Sequence, residues 1–126
     1  MSVRTLFGSV AMTSGLLLSS LAQAHPELVA STPAANAEVS SPANIELKFS
    51  EKLSTQFSGA KLTMTEMPGM KHPPMNIEAK VSGSNDPKVM VITPAKPLVA
   101  GTYKIDWRAV SSDTHPITGS VVFKVK

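Results

Sequence analysis

No cysteine occurs anywhere in the 126 residues. That excludes disulfide stapling, CxxC redox chemistry and thiolate metal sites. Aromatic side chains are sparse, with one Trp, one Tyr and four Phe. Trp107 and Tyr103 both fall in an alternating, core-type stretch, so the chain offers no large aromatic platform for a substrate. The net charge is only +3, and the lysines are dispersed singly, which argues against a nucleic-acid partner. There is no Ser–His–acid constellation, no glycine-rich phosphate loop and no internal repeat. Beyond the first 24 residues, no apolar run approaches the roughly 20 residues needed to span a bilayer.

The amino-terminal stretch reads as a secretory leader. Arg4 supplies the positive region, an apolar run ends in Leu16-Leu17-Leu18 and Leu21-Ala22, and Ala22-Gln23-Ala24 meets the small-x-small cleavage rule. The expected division is a signal peptide over 1–24 and one domain over 25–126, exported to the periplasm and beginning at His25. A domain of this size buries enough surface to fold without disulfides.

In the remaining chain, short runs of period two are bounded by Pro, Gly, Asn and Ser. The runs 27–31, 44–50, 60–66, 76–82, 88–93, 102–109 and 118–125 predict strands. Ile45, Leu47 and Phe49 share one face; so do Tyr103, Ile105, Trp107 and Ala109, and Val121, Phe123 and Val125. The run 88–93 is nearly continuous apolar, as in a strand covered on both sides. Seven strands at this spacing predict an all-β, antiparallel Greek-key barrel or sandwich, immunoglobulin-like or cupredoxin-like in outline.

One stretch does not read as core. Met64, Met67, Met70, His72 and Met75 fall within twelve residues that also hold Pro68, Gly69, Pro73 and Pro74. The prolines exclude a helix, so the stretch is expected to be a sulfur-bearing loop. Thioether sulfur is a soft ligand that suits Cu(I), and it needs no deprotonation to bind. Met64 also fits the inward face of its strand, so it can serve the core, the metal or both.

The other two histidines lie among nitrogen and oxygen donors. After cleavage, His25 carries a free α-amine that can chelate a metal together with its ring Nδ1; otherwise it is a solvated terminus. Pro26 has no backbone N–H to follow as a ligand. Asp113 and His115 stand two apart, facing the same way if the segment is extended; the alternative is an Asp-Thr turn with an exposed His. In the extended case the carboxylate serves as a ligand or orients the imidazole. Glu51, at a strand end, is a further oxygen donor. This set suits Cu(II). Two readings follow: a copper carrier, and alternatively a copper-dependent oxidoreductase built on the amino-terminal His chelate.

The residues resemble those of the CopC/PcoC periplasmic copper-resistance proteins. The resemblance rests on His25-Pro26-Glu27-Leu28, Phe49-Ser50-Glu51, the run from Gln56 to Leu62, the Met64–Met75 pattern, Asp86-Pro87-Lys88, and the long run from Gly101 through Trp107 and Asp113-Thr114-His115 to Gly119. It implies a Cu(II) site at His25, Glu51, Asp113 and His115 and a Cu(I) site at Met64, Met67, Met70, His72 and Met75. It further implies a non-enzymatic role in copper resistance, homeostasis and transfer. The implied partners are an inner-membrane copper transporter or a periplasmic multicopper oxidase, with copper-bridged self-association.

Overall fold

The computed structural model of the protein describes residues 25–126; the leader expected over 1–24 lies outside the described residues. Among the described residues the chain forms strands and no helix: β1 (Leu28–Thr32), β2 (Glu38–Val39), β3 (Ile45–Phe49), β4 (Gly59–Met67), β5 (Met70–Ile77), β6 (Ala79–Gly83), β7 (Val89–Pro94), β8 (Gly101–Val110) and β9 (Pro116–Val125). They make two sheets, ordered β1-β3-β7-β6 and β2-β9-β8-β4-β5. Every pairing is antiparallel except that of β2 with β9. The chain changes sheet after β1, β2, β3, β5 and β7. This crossing is what makes the architecture an all-β, cupredoxin-like sandwich rather than a meander.

The core lies between the sheets and follows the alternation of the sequence. In β3, Ile45, Leu47 and Phe49 are buried while Glu46 and Lys48 face solvent. Tyr103, Ile105, Trp107 and Ala109 of β8 meet them from the other sheet, beside Val121, Phe123 and Val125 of β9. Each such aliphatic or aromatic side chain contributes about 1.5–3 kcal/mol by leaving water. Phe49 and Trp107 pack edge to face at 5.0 Å between ring centroids, and Tyr103 stacks on Phe123 at 5.6 Å.

Trp107 is accommodated by the absence of a side chain across the ladder. It pairs with Gly119, where an added Cβ would stand 2.4 Å from the indole Cζ2. The ring is walled in by Phe49 and the core and has little room to retreat. Gly119→Ala is therefore expected to cost about 1–3 kcal/mol, the usual range for overpacking, read as a lower midpoint in urea unfolding.

Three sequence expectations are corrected. The strand count rises from seven to nine. The two additions are β2, which is only two residues long, and β5, which occupies the methionine stretch expected to be a loop. The single strand expected over 76–82 divides at Glu78, where the chain passes from β5 in one sheet to β6 in the other. Strand β7 is not covered on both sides: Met90 and Ile92 are buried, whereas Val89 and Val91 are half-buried on the outer face.

Strand β5 exists because of where it lies. It is the outer strand of its sheet, where a missing N–H breaks no ladder on the solvent side. Its pairing with β4 joins Met67 to Met70, Glu66 to Lys71 and Met64 to Met75. That leaves His72, Pro73 and Pro74 opposite Thr65 alone, a bulge that takes both prolines out of register. Pro68 and Gly69 form the turn, with Gly69 at φ 73°, as a type II turn requires at its third position.

Candidate metal centres

The first centre begins with the arm that carries His25. Pro26 is fully buried. The Glu27 amide donates to the Ser50 hydroxyl at 2.9 Å, and the Ser50 amide donates to the Glu27 carbonyl at 2.8 Å. These contacts tie the arm to the end of β3, so His25 is held rather than frayed. Pro26 and Ser50 were not legible as positioning residues. Pro26 announced only a missing N–H, and Ser50 was one polar residue at a strand end.

The partner loop is a turn, not an extended segment. The Thr114 amide donates to the Ser111 carbonyl at 3.0 Å, and Thr114 has φ 64°, a sparsely populated conformation for a β-branched residue. The Asp113 carboxylate divides its work. Oδ1 accepts from the His115 amide at 3.1 Å and from the Ser111 hydroxyl at 3.3 Å. Oδ2 lies 2.8 Å from His25 Nδ1 and 3.8 Å from His115 Nδ1. Asp113 and His115 thus converge through a hydrogen-bonded turn and not through strand alternation.

One donor atom from each of His25, Asp113 and His115 lies within 4.8 Å of the others. A square-planar ion with bonds of about 2.0 Å places neighbouring donors about 2.8 Å apart and opposite donors about 4 Å apart. The 2.8 Å and 3.8 Å separations are compatible with those values, and the shorter is also an ordinary hydrogen-bond distance. Glu51 lies outside this three-residue group. Its neighbour Ser50 braces the His25 arm, but its own carboxylate does not join the cluster.

Burial pushes the Asp113 carboxyl up, but it is outweighed by the His115 amide, the His25 imidazole, the Ser111 hydroxyl and the His115 imidazole, which hold it below its ordinary value. A carboxyl whose folded pKa is lowered contributes stability that is complete above its unfolded value, about pH 4. That stability is lost as pH falls through the folded value. Thermal melting across this window should show a steeper acid loss for the native chain than for Asp113→Asn. Equal slopes would contradict the assignment.

The second centre is the β4–β5 hairpin. Met64, Met67 and Met75 line one groove together with Leu98, Val99 and Tyr103. Met64 is buried in the core cluster and also lines this groove. Gly101 makes room for it: an added Cβ there would lie 2.9 Å from Met64 Cε and 2.7 Å from the Glu66 carbonyl. Met70 instead lines a separate hollow with Glu66, Lys71 and Lys124, and Met67 borders both. His72 sits in the bulge. Its Nδ1 lies 2.7 Å from the Pro73 carbonyl oxygen. A carbonyl only accepts, so Nδ1 is the donor in this contact. Nε2 is buried with no partner among the described residues, and a buried nitrogen of this kind is suited to a metal.

The two centres stand at opposite ends of the sandwich. The Gly101 end of β8 lies beside the hairpin, since Thr102 pairs with Glu66. The Val110 end runs into the Ser111–His115 turn. Ten residues of strand separate them by about 30 Å.

Residues 28–126 match the model of the CopC domain family. The chain is 73% identical over 112 residues to copper resistance protein C of Pseudomonas syringae pv. tomato, covering 89% of each chain. It is 58% identical over 118 residues to copper resistance protein C of Escherichia coli, covering 91% of this chain and 94% of that one. The crystal structure of PcoC, a methionine-rich copper resistance protein from Escherichia coli, superposes with a TM-score of 0.77 at 60% identity, covering 82% of this chain and all of that one.

Proposed function

The chain belongs to the CopC family, and on that premise we propose that it is a periplasmic copper-binding protein of copper resistance, which carries Cu(I) and Cu(II) at separate sites and passes copper on without turning over a substrate. One observation carries this reading: two donor sets of opposite softness lie at the two ends of one strand, β8. The leader over 1–24 is removed before His25, which frees its α-amine.

Cu(II) is held by His25, Asp113 and His115, with the amine and Nδ1 of His25 closing one chelate ring. Imidazole, amine and carboxylate are the donors that ion prefers. Cu(I) is held by the thioethers of Met64, Met67 and Met75, with His72 Nε2 as the nitrogen donor. Glu51 lies outside the Cu(II) donor group, and its replacement by Gln changes affinity little. A change of oxidation state therefore changes which end of the molecule holds the ion. Because a span of about 30 Å separates the ends, copper passes between molecules, to a second copy or to an inner-membrane transporter or multicopper oxidase.

The test is a pair of titrations on the chain beginning at His25, with Cu(II) in air and with Cu(I) under exclusion of oxygen. The expected result is one equivalent of each, with neither displacing the other; competition for a single site would sink the two-site reading. Within the sulfur site, Met70→Leu is expected to lower Cu(I) affinity less than Met75→Leu does, since Met70 lines the other hollow. The same affinity measurement checks it.

A further inference from the structure

Five methionines occur among the described residues, and they divide sharply by exposure. Met64 and Met90 are 2% and 3% exposed, whereas Met67, Met70 and Met75 are 37%, 59% and 46% exposed. All three exposed thioethers lie on one hairpin, at its turn and beside its bulge. None of them is a member of the buried core cluster. Exposure governs how readily a peroxide reaches a thioether, and the sulfoxide product is polar, which a core does not tolerate but a solvated hairpin does.

We propose that Met67, Met70 and Met75 form an oxidative modification site, with Met70 reacting first and the oxidation of Met67 and Met75 switching off the sulfur centre, while the fold and the nitrogen/oxygen centre stay intact. In each event a sulfur lone pair attacks one oxygen of hydrogen peroxide. The S–O bond forms and the O–O bond breaks. Sulfur is oxidised by two electrons, and the peroxide is reduced to water. The sulfoxide replaces a soft sulfur donor with a hard oxygen, which a soft cation such as Cu(I) or Ag(I) binds poorly. The consequence for copper rests on the proposed sulfur site; the ordering of the modification rests on exposure alone.

The experiment treats the metal-free chain beginning at His25 with hydrogen peroxide and follows each methionine by peptide mass mapping. The expected order is Met70, then Met75 and Met67, with Met64 and Met90 protected until the protein unfolds. Treated and untreated protein are then titrated with Ag(I), a redox-inert stand-in for Cu(I), and with Cu(II). Ag(I) capacity should be lost on treatment and recovered with methionine sulfoxide reductase, and Cu(II) capacity should be unchanged. Oxidation of Met64 or Met90 at the same rate as Met70 overturns the proposal. So does full Ag(I) capacity after the three exposed residues are oxidised. Untreated protein that binds no Ag(I) instead refutes the sulfur site itself, and the mass map then decides the modification independently.

Discussion

One extra residue placed ahead of His25 should lower Cu(II) affinity by more than about a hundredfold and leave the Cu(I) titration unchanged. The extension converts the α-amine into an amide, whose lone pair is delocalised into the carbonyl. The chelate ring with Nδ1 is lost, and Pro26 has no N–H to replace it. Losing a partner outside the coordination sphere costs 10–100-fold in metal affinity, so losing a direct donor together with its ring should exceed that range. The structure sharpens the prediction. The arm is pinned just after His25 by buried Pro26 and by the paired bonds between Glu27 and Ser50. His25 Nδ1 is also already within 2.8 Å of Asp113 Oδ2. A chain whose Cu(II) affinity survives the extension would remove the amine from the site, and competition with a chromophoric chelator of known affinity measures the difference.

The second large effect is expected at the other end. Replacing Met64, Met67 and Met75 together by Leu should cost more than about a hundredfold in Cu(I) affinity while the fold and Cu(II) binding persist. Leucine is close to methionine in volume, and such swaps cost under about 1.5 kcal/mol each. Only Met64 is deeply buried, so destabilisation does not account for the loss. Each substitution removes a soft donor from the groove and supplies none. His72, which does not line the groove, remains as a single nitrogen on the hairpin. Cu(I) affinity is read by ligand competition under anaerobic conditions, with near-native melting as the control. A drop of less than tenfold would mean that the hairpin's sulfur is not the Cu(I) site.

The proposed function requires both effects, since each end of the molecule would then answer to its own oxidation state. A carrier of this form does not need to move its donors. The sandwich keeps the two sets about 30 Å apart along β8, too far for one ion to touch both. Under the proposed function, exchange is then a property of encounters between molecules. The exposure of Met67, Met70 and Met75 at one end, and of His25 and His115 at the other, fits transfer at the surface.

Much of this was legible in the residues because the relevant signals are local. Period-two patterning in 44–50, 102–109 and 118–125 identified β3, β8 and β9 and their buried faces, because alternation follows from the geometry of an extended backbone. Ligand softness is a property of side-chain type, so sulfur and nitrogen/oxygen sets could be told apart without coordinates. The same locality explains the failures. Pro73 and Pro74 mark the methionine stretch as a loop in the sequence, which does not say that β5 is an outer strand with a bulge. Val89 and Val91 were read as covered, because apolar residues on the outer face of a small sheet look like those within. Asp113 and His115 were placed together for the wrong reason, since the turn depends on hydrogen bonds to Asp113 that no period reveals.

The sequence by itself therefore determined the class of fold, the chemistry of each candidate donor and the stretches that bear them. Tertiary structure alone decided which donors meet. It drew His25 to a turn some ninety residues away in the chain, left Glu51 outside that group, and divided the methionines between two hollows. The physical reason is that softness and strand propensity reside in single residues and short runs. A coordination site is instead a set of distances between segments, fixed by strand order, register and the packing of Pro26 and Met64 into the core.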